Sequence, residues 1–291
     1  MKSDRRGTKA AVPTTVSALI ERYEVFFLDA YGVLVSSSGA LPGAAEFLDR
    51  LRQAGRPHFI LSNDASRSPE RTLNRYQGFG LPFTRDQIVT SGMLLRDHFA
   101  SAGLAGKPTI VLGTEDSQQY VREAGGEIVP ADEERAEVVV VGDDDGFEFL
   151  ETVNQLVTVL FRRIDRGETT HLVLPNPDLL FPRGPKGYGI TSGAIALMLE
   201  GILRLRDPSG GLRFVPLGKP HAPLYAAGMA RAGITDREKA VMVGDQLVTD
   251  IRGAVAFGID SVFVKSGVGR LEEAAAHDVT PTWVIDSVAV A

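Results

Sequence analysis

The chain has 291 residues, of which 44% are hydrophobic and 23% charged, a composition typical of globular proteins rather than disordered ones. Its net charge of −6 makes nucleic acid and anionic membranes poor partners. The absence of cysteine excludes disulfides, thiolate metal sites and cysteine nucleophiles. No apolar stretch is typical of a signal peptide or long enough to span a bilayer, so we expect a cytoplasmic protein.

The first part of the chain alternates apolar runs with helical patterns. After a predicted loose tail over 1–14 and a short helix, Val25–Leu28 is an unbroken apolar run that ends on Asp29. A second helix is predicted next, and the run 59–61 then ends on Ser62. Unbroken runs separated by helices predict buried parallel strands in a doubly wound α/β sheet, whose ligands bind beyond the carboxyl ends of the strands.

The middle of the chain repeats this alternation of strands and helices. We expect it to form a second α/β unit, residues 93–212, inserted into a core domain of residues 1–92 and 213–291. The strands predicted in the inserted unit are 109–113, 138–141 and 172–174, and an apolar stripe predicts a helix over 150–164.

The last part of the chain returns to the pattern of the core domain. A helix is predicted after Lys219, and the apolar run 241–244 ends on Asp245, five residues before Asp250. The run 262–264 is predicted to be the final core strand.

Polar side chains follow several of these strands. Because parallel strands end at one edge of a sheet, we expect Asp29, Ser62 and Asp245 to meet there. Two carboxylates at one edge repel each other unless a cation lies between them, and oxygen ligands favour Mg²⁺. Lys219 and the Ser62 hydroxyl could then hold phosphate oxygens. A carboxylate such as that of Asp29 can attack phosphorus and form an aspartyl phosphate.

In chain order, these segments resemble the four motifs of the haloacid dehalogenase superfamily, over roughly residues 23–287. The matching segments are Asp29-Ala30-Tyr31-Gly32-Val33-Leu34, Ser62-Asn63, Gly218-Lys219-Pro220 and Gly244-Asp245-Gln246-Leu247-Val248-Thr249-Asp250. Asn176-Pro177-Asp178 and Ser192-Gly193-Ala194-Ile195-Ala196 are similar to segments of the class IIA phosphatases, the NagD-like and nitrophenylphosphatase-like branch. That branch carries an α/β cap of the C2 type between the second and third motifs.

The resemblance implies a metal site and a nucleophile. Asp29 would be the nucleophile and a Mg²⁺ ligand, together with Asp245 and the main-chain carbonyl of Tyr31. Asp250 would support the metal ligands, and Lys219 would steady both Asp29 and the phosphate.

The resemblance also implies residues that bind the substrate. Ser62 and Asn63 would contact the phosphate, and Asn176 and Asp178 would contribute to substrate binding from the cap. The ligand would be a small phosphorylated metabolite, and a homodimer is compatible with this interpretation.

Tyr31 departs from the pattern of the family, which usually has a second Asp at this position. In the family that side chain is the general acid and base, and its main-chain carbonyl binds the metal. A tyrosine keeps the carbonyl and loses the carboxyl. We therefore predict a Mg²⁺-dependent phosphatase with reduced or altered acid catalysis. The alternative is a catalytically impaired protein that binds a phosphate ligand or has a regulatory role.

Two further features have alternative interpretations. The run Asp143-Asp144-Asp145 is either a second metal site or a solvated turn, and a turn after a strand is the commoner case. His221 is either a ligand contact or a residue at the start of a helix, and the helix start is favoured.

Overall fold

The computed structural model describes residues 11–183 and 187–289. Its strands are β1 (Val12–Pro13), β2 (Val25–Leu28), β3 (Val35–Ser36), β4 (Gly39–Ala40), β5 (His58–Ser62), β6 (Ile88–Thr90), β7 (Pro108–Leu112), β8 (Glu127–Ile128), β9 (Val138–Val141), β10 (His171–Leu174), β11 (Leu180–Arg183), β12 (Gly187–Ile190), β13 (Phe214–Pro216), β14 (Ala240–Gly244), β15 (Asp260–Val264) and β16 (Trp283–Ile285). Its α-helices are α1 (Val16–Arg22), α2 (Ala44–Gln53), α3 (Pro69–Gly78), α4 (Leu94–Ala102), α5 (Glu115–Glu123), α6 (Phe149–Asp165), α7 (Ser192–Leu203), α8 (Ala222–Ala232) and α9 (Arg252–Phe257). None of the helices in these ranges combines the length and the apolar character needed to cross a membrane.

The chain divides into two compact units, each described here by itself. The first unit contains Met1–Ser62, Leu73–Val89 and Lys219–Ala291, and the second contains Asn63–Thr72 and Thr90–Gly218. The domain boundaries expected from the sequence, after residues 92 and 212, stay a prediction.

The first unit is built on a sheet with the strand order β1-β16-β15-β14-β2-β5-β6, in which the neighbours from β1 to β5 pair in parallel. Every residue of β2 is buried. Phe26 packs edge-on against Phe47 of α2, whereas Phe27 on the opposite face lies against Gly228 of α8. Helices therefore cover both faces of the sheet, and the predicted doubly wound α/β fold is confirmed.

The edge of this sheet differs from the prediction. The strand expected to be last, β15, is followed by β16, which pairs with it in parallel, and β1 then pairs with β16. Val12 and Pro13 therefore belong to a strand rather than to the expected loose tail, whose residues 1–10 lie outside the described ranges. Strands of two and three residues are too short to give a recognisable pattern of side chains.

The second unit has its own parallel sheet, with the order β13-β10-β9-β7-β8. The predicted strands correspond to β7, β9 and β10, and the predicted helix corresponds to α6. The sequence did not reveal β8, β13 or the antiparallel hairpin of β11 and β12. The core of this unit lies between the sheet and the apolar faces of α6 and α7.

Candidate active site

Three adjacent strands of the first unit deliver polar residues to one edge of the sheet. β2 lies between β14 and β5, so Asp29 after β2 is flanked by Asp245 after β14 and by Ser62 at the end of β5. Val243 pairs with Leu28, and the Asp29 N–H donates to the Val243 carbonyl at 2.9 Å. The structure thus brings together the strand-end residues identified in the sequence.

Three carboxylates form a buried cluster at this edge. Asp29, Asp245 and Asp250 each place one carboxylate oxygen within 4.8 Å of the others. Asp29 is 7% exposed, and the other two are fully buried. Burial, followed by the charges of Asp29 and Asp250, raises the pKa of Asp245 well above its ordinary value. The cluster is therefore held at an electrostatic cost that a cation would relieve.

Lys219 is the ammonium that lies within this cluster. Its Nζ is 2.6 Å from Asp29 Oδ1 and 2.7 Å from Asp250 Oδ1, and the residue is only 3% exposed. Burial disfavours the ammonium, but the charges of Asp250 and Asp29 outweigh it and raise the pKa of Lys219 well above its ordinary value. Lys219 therefore stays protonated, and one ammonium faces three carboxylates.

The surroundings of the Asp245 carboxylate show whether the cluster fits a metal ion. Its Oδ2 accepts a hydrogen bond from the Val268 N–H at 2.7 Å, whereas its buried Oδ1 has no hydrogen-bond partner among the described residues. A buried carboxylate oxygen without a donor is costly, and a hard cation is its natural partner. A Cβ added at Gly32 or Gly267 would lie 2.3 or 2.1 Å from Asp245 Oδ2, so only glycine fits there. The all-oxygen donor set and this close packing fit Mg²⁺.

Asp250 contacts both the backbone beside Asp245 and the side chain of Lys219, which in turn pairs with Asp29. Its Oδ2 accepts from the N–H groups of Asp245 at 3.2 Å and Gln246 at 3.1 Å, while its Oδ1 pairs with Lys219. The residue lies in a π-helical turn, Leu247–Ile251. The family resemblance implied a supporting role for Asp250 but not its direct ion pair with Lys219.

Tyr31 lies two residues after Asp29, where the chain leaves β2. It forms an isolated β-bridge with Val35, and its half-buried side chain packs against the hydrophobic core of the first unit. Gly32 follows with a φ of 86°, a left-handed conformation that favours glycine. This turn brings the backbone at Gly32 close to Asp245.

In the second unit, the predicted substrate residues form a hydrogen-bonded group. Asn63 Nδ2 donates to Asp178 Oδ1 at 2.9 Å, and the Asp178 N–H donates to Asn176 Oδ1 at 2.9 Å. The Asn176 amide in turn reaches Thr191 Oγ1 at 3.5 Å. The structure therefore brings Asn63, Asn176 and Asp178 together, although the sequence did not indicate that Asp178 binds Asn63.

The two features with alternative interpretations lie apart from these groups in sequence. Asp143 and Asp144 follow β9 in an irregular segment and are half-buried, whereas Asp145 is exposed. Burial, followed by the charges of Asp144 and Asp64, raises the pKa of Asp143 to about 7. The run therefore lies in an irregular segment that is not fully solvated, and the choice between a second metal site and a turn stays open. His221 is the exposed residue immediately before α8, as the helix-start interpretation expects.

Two residues contribute contacts to the first unit's site that were not expected from the sequence. The Val268 N–H binds Asp245, and Tyr225 of α8 donates its hydroxyl to the Asp250 carbonyl. The glycines around Val268, Gly267 and Gly269, were a usable signal, because closely spaced glycines after a strand allow backbone to approach a ligand. Tyr225 gave no signal, since a tyrosine within a helix ordinarily indicates core packing.

Comparison with known proteins identifies the family. A family model described as haloacid dehalogenase-like hydrolase matches residues 26–127, and a model described as HAD-hydrolase-like matches residues 216–291. The chain is 24% identical over 264 residues to an acid sugar phosphatase from Staphylococcus aureus, a match that covers 91% of this chain and 95% of the relative.

Solved structures agree with these matches. A crystal structure described as a possible sugar phosphatase of the HAD superfamily, from Cytophaga hutchinsonii, is 30% identical with a TM-score of 0.83, covering 97% of this chain and 99% of that one. The p-nitrophenyl phosphatase from Archaeoglobus fulgidus is 26% identical with a TM-score of 0.76, covering 91% and 97%. The motif order expected from the sequence, the observed fold and these matches agree, and the chain belongs to the haloacid dehalogenase-like hydrolases, in their nitrophenylphosphatase-like class IIA branch.

Proposed function

We propose that the protein is a Mg²⁺-dependent phosphatase that hydrolyses a small phosphorylated metabolite through an aspartyl-phosphate intermediate. The observation that carries the proposal is the buried cluster of Asp29, Asp245, Asp250 and Lys219 at the end of a parallel sheet. Burying four charged groups is costly, and such groups are retained where chemistry needs them. Membership of the hydrolase family and relatives named as phosphatases support this reaction class.

Asp29, Asp245 and the Tyr31 main-chain carbonyl are the proposed Mg²⁺ ligands, with Asp250 behind them. Among the described residues, the Oδ1 of Asp245 has no hydrogen-bond partner and the three carboxylates outnumber the ammonium of Lys219, which supports a divalent cation. When bound, Mg²⁺ supplies positive charge that stabilises the phosphoryl oxygens in the transition state.

Asp29 is the proposed nucleophile. Its carboxylate attacks phosphorus, so that a P–O bond forms to Asp29 while the bond to the leaving alcohol oxygen breaks. Water then hydrolyses the aspartyl phosphate, which releases phosphate and restores the carboxylate. Lys219 restrains the rotation of Asp29 through its 2.6 Å ion pair, and its charge attracts the phosphate oxygens.

The leaving alcohol needs a proton, and Tyr31 stands at the position to which the family resemblance assigns the general acid. Phenols ionise only near pH 10 and are poor proton donors at neutral pH. The Tyr31 side chain also packs partly against the hydrophobic core. We therefore propose turnover that is slow on alkyl phosphates and faster on esters such as nitrophenyl phosphate, whose leaving group needs little protonation.

Ser62 and Asn63 are the proposed phosphate contacts, and Asn176 and Asp178 the proposed substrate-binding residues of the second unit. The hydrogen bond from Asn63 to Asp178 supports this grouping, because it fixes the orientation of the Asn63 amide. Relatives named as sugar phosphatases support a small phosphorylated metabolite as the substrate class. A cytoplasmic location and a homodimer complete the proposal, and a chain without cysteine is compatible with a reducing compartment.

Replacing the nucleophile tests the reaction directly. We expect Asp29→Asn to abolish turnover of nitrophenyl phosphate with Mg²⁺ while the folded structure is retained, because an amide is a far weaker nucleophile. Asp286→Asn is the control, since Asp286 is an exposed aspartate of the same unit that pairs with Lys265. Turnover that persists in a purified, folded Asp29→Asn protein would contradict the proposal.

A catalytically impaired binding protein is the second candidate, and the tyrosine at position 31 is the observation that favours it. A panel of alkyl and aryl phosphomonoesters, assayed with Mg²⁺, separates the two functions. We expect measurable hydrolysis, fastest for aryl esters. Phosphate binding with Mg²⁺ and no hydrolysis of any ester would instead establish the binding function.

A further inference from the structure

Tyr225 makes a polar contact that the mechanism above does not use. It lies on α8, six residues after Lys219, and is fully buried. Its hydroxyl donates to the Asp250 main-chain carbonyl at 2.9 Å and lies 3.2 Å from the carbonyl of Thr249. The buried phenol of Tyr225 thus binds the backbone of Asp250, the residue that contacts both Asp245 and Lys219.

These carbonyls belong to the π-helical turn Leu247–Ile251, a wide turn whose backbone is not held by a regular α-helical ladder. The N–H groups of Asp250 and Ile251 both donate to the Gln246 carbonyl, at 3.0 and 3.2 Å. Tyr225 adds an anchor from a different helix, so the position of the turn depends on α8 as well as on its own hydrogen bonds.

The pocket around Tyr225 fixes where its hydroxyl lies. The ring stacks on Phe257 with centroids 5.6 Å apart and an interplanar angle of 23°. A Cβ added at Gly253 would lie 2.4 Å from the hydroxyl oxygen, so this glycine leaves the space that the hydroxyl fills. Burial, followed by the charge of Asp250, raises the pKa of Tyr225 well above its ordinary value, and the phenol therefore remains a hydrogen-bond donor.

The position of the Asp250 backbone matters because both oxygens of its carboxylate already have partners. One carboxylate oxygen accepts from the N–H groups of Asp245 and Gln246, and the other pairs with Lys219, which in turn holds Asp29. If the turn moved, Asp250 would lose its contacts with the loop of Asp245, with Lys219, or with both.

We infer that Tyr225 is a positioning residue for the metal site: its hydroxyl holds the π-helical turn so that Asp250 can support Asp245 and Lys219 together. The inference rests on the proposed function, because it takes the carboxylate cluster to be the Mg²⁺ site. It assigns to Tyr225 no contact with substrate or metal.

The test compares Tyr225→Phe with Tyr23→Phe. Both changes remove one hydroxyl from a buried tyrosine of the first unit, and the Tyr23 hydroxyl instead bonds to Asp260 and Trp283. Mg²⁺ affinity is measured by titration calorimetry on the full chain, and folding by thermal unfolding in EDTA. We expect Tyr225→Phe to bind Mg²⁺ about 10-fold more weakly, as for residues that support metal ligands, with Tyr23→Phe unchanged.

Each other outcome has a definite meaning. Equal Mg²⁺ affinity in the wild type and Tyr225→Phe would overturn the inference, and so would an equal loss in Tyr23→Phe. A Tyr225→Phe protein that does not fold would also overturn it, in favour of a purely structural hydroxyl. If the wild type itself binds no Mg²⁺, the proposed function fails instead, and the two failures are thereby distinguished.

Discussion

The two units each contain a group of acidic side chains, and the two groups differ in how their charge is compensated. In the first unit, Asp29, Asp245 and Asp250 are buried around one lysine. In the second unit, Asp143 and Asp144 are only half-buried. The lesson is that burial with an incomplete set of countercharges, rather than acidity itself, marks the group suited to metal chemistry.

Nearby contacts in the second unit reinforce the contrast. Asp64, whose charge adds to the raised pKa of Asp143, accepts from the N–H groups of Ser66 and Arg67 and pairs with the Arg67 guanidinium at 3.0 Å. These bonds satisfy Asp64 within its own loop. Asp245 instead keeps a buried oxygen without a donor among the described residues.

The largest expected effect comes from adding a carboxylate to the first group. Tyr31→Asp supplies a carboxyl that can act as the general acid in the proposed mechanism, and general acid catalysis typically contributes about 10²- to 10⁴-fold. We expect turnover of alkyl phosphates to rise within that range, and that of nitrophenyl phosphate to rise far less. Tyr31→Phe is the control and should leave both rates near wild type. Equal alkyl and aryl rates in the wild type, unchanged in Tyr31→Asp, would mean that another residue donates the proton.

Removing the lysine from the first group should lower the free energy of unfolding, because the buried carboxylates lose their countercharge. Lys219→Met leaves Asp29 and Asp250 buried without their cation, and breaking a buried ion pair typically costs about 3–5 kcal/mol. We expect a loss of that order in the free energy of unfolding, measured by denaturant in EDTA. Lys265→Met, which breaks an exposed pair with Asp286, should change little. A comparable loss of unfolding free energy in both variants would show that burial does not determine how much an ion pair stabilises this protein.

Neutralising Asp245 should move stability and metal affinity in opposite directions. Its folded-state pKa is raised, so its ionisation destabilises the metal-free protein as the pH rises. Asp245→Asn should therefore raise the melting temperature in EDTA at pH 7.5 while weakening Mg²⁺ binding by more than about 10-fold. Calorimetry and thermal unfolding check the two effects. Mg²⁺ affinity equal to that of the wild type would remove Asp245 from the metal site.

The smallest expected effect concerns the second group. The pKa of Asp143 is about 7 in the folded protein, above the ordinary value of 3.8, so the folded state binds an extra proton between these values. The associated stability is present below about pH 4 and is lost as the pH rises through 7. Melting temperatures measured from pH 4 to 8 should show that the melting temperature of Asp143→Asn increases relative to that of the wild type as the pH rises. Exposed Asp145→Asn should run parallel to the wild type, and a parallel Asp143→Asn curve would contradict the assigned shift.

Much of the fold and part of the candidate site could be predicted because buried parallel strands have a recognisable sequence pattern, an unbroken apolar run. Unbroken apolar runs marked β2, β5 and β14, and the polar residue at each end identified Asp29 and Asp245. Two- and three-residue strands such as β1 and β16 leave no such trace, since they are held by their neighbours rather than by their own side-chain pattern.

The contacts that could not be predicted depend on tertiary geometry. Asp250, which pairs with Lys219, lies in a π-helical turn, and such a turn has no sequence signature. The raised pKa of Asp143 depends on its burial and partly on the charge of Asp64, which is distant in the sequence. Residue type and spacing locate groups along the chain, but they do not measure how much water remains around them.

The pairing of Lys219 with Asp29 has a consequence for how the protein is made. The two residues are 190 positions apart, and β2 lies inside its sheet, between β14 and β5. A ribosome therefore releases the nucleophile early and its countercharge late, after the whole second unit has been synthesised. Until β14 has been synthesised, the fully apolar strand β2 lacks one of its two partner strands, and an apolar strand with an unpaired edge is prone to aggregation.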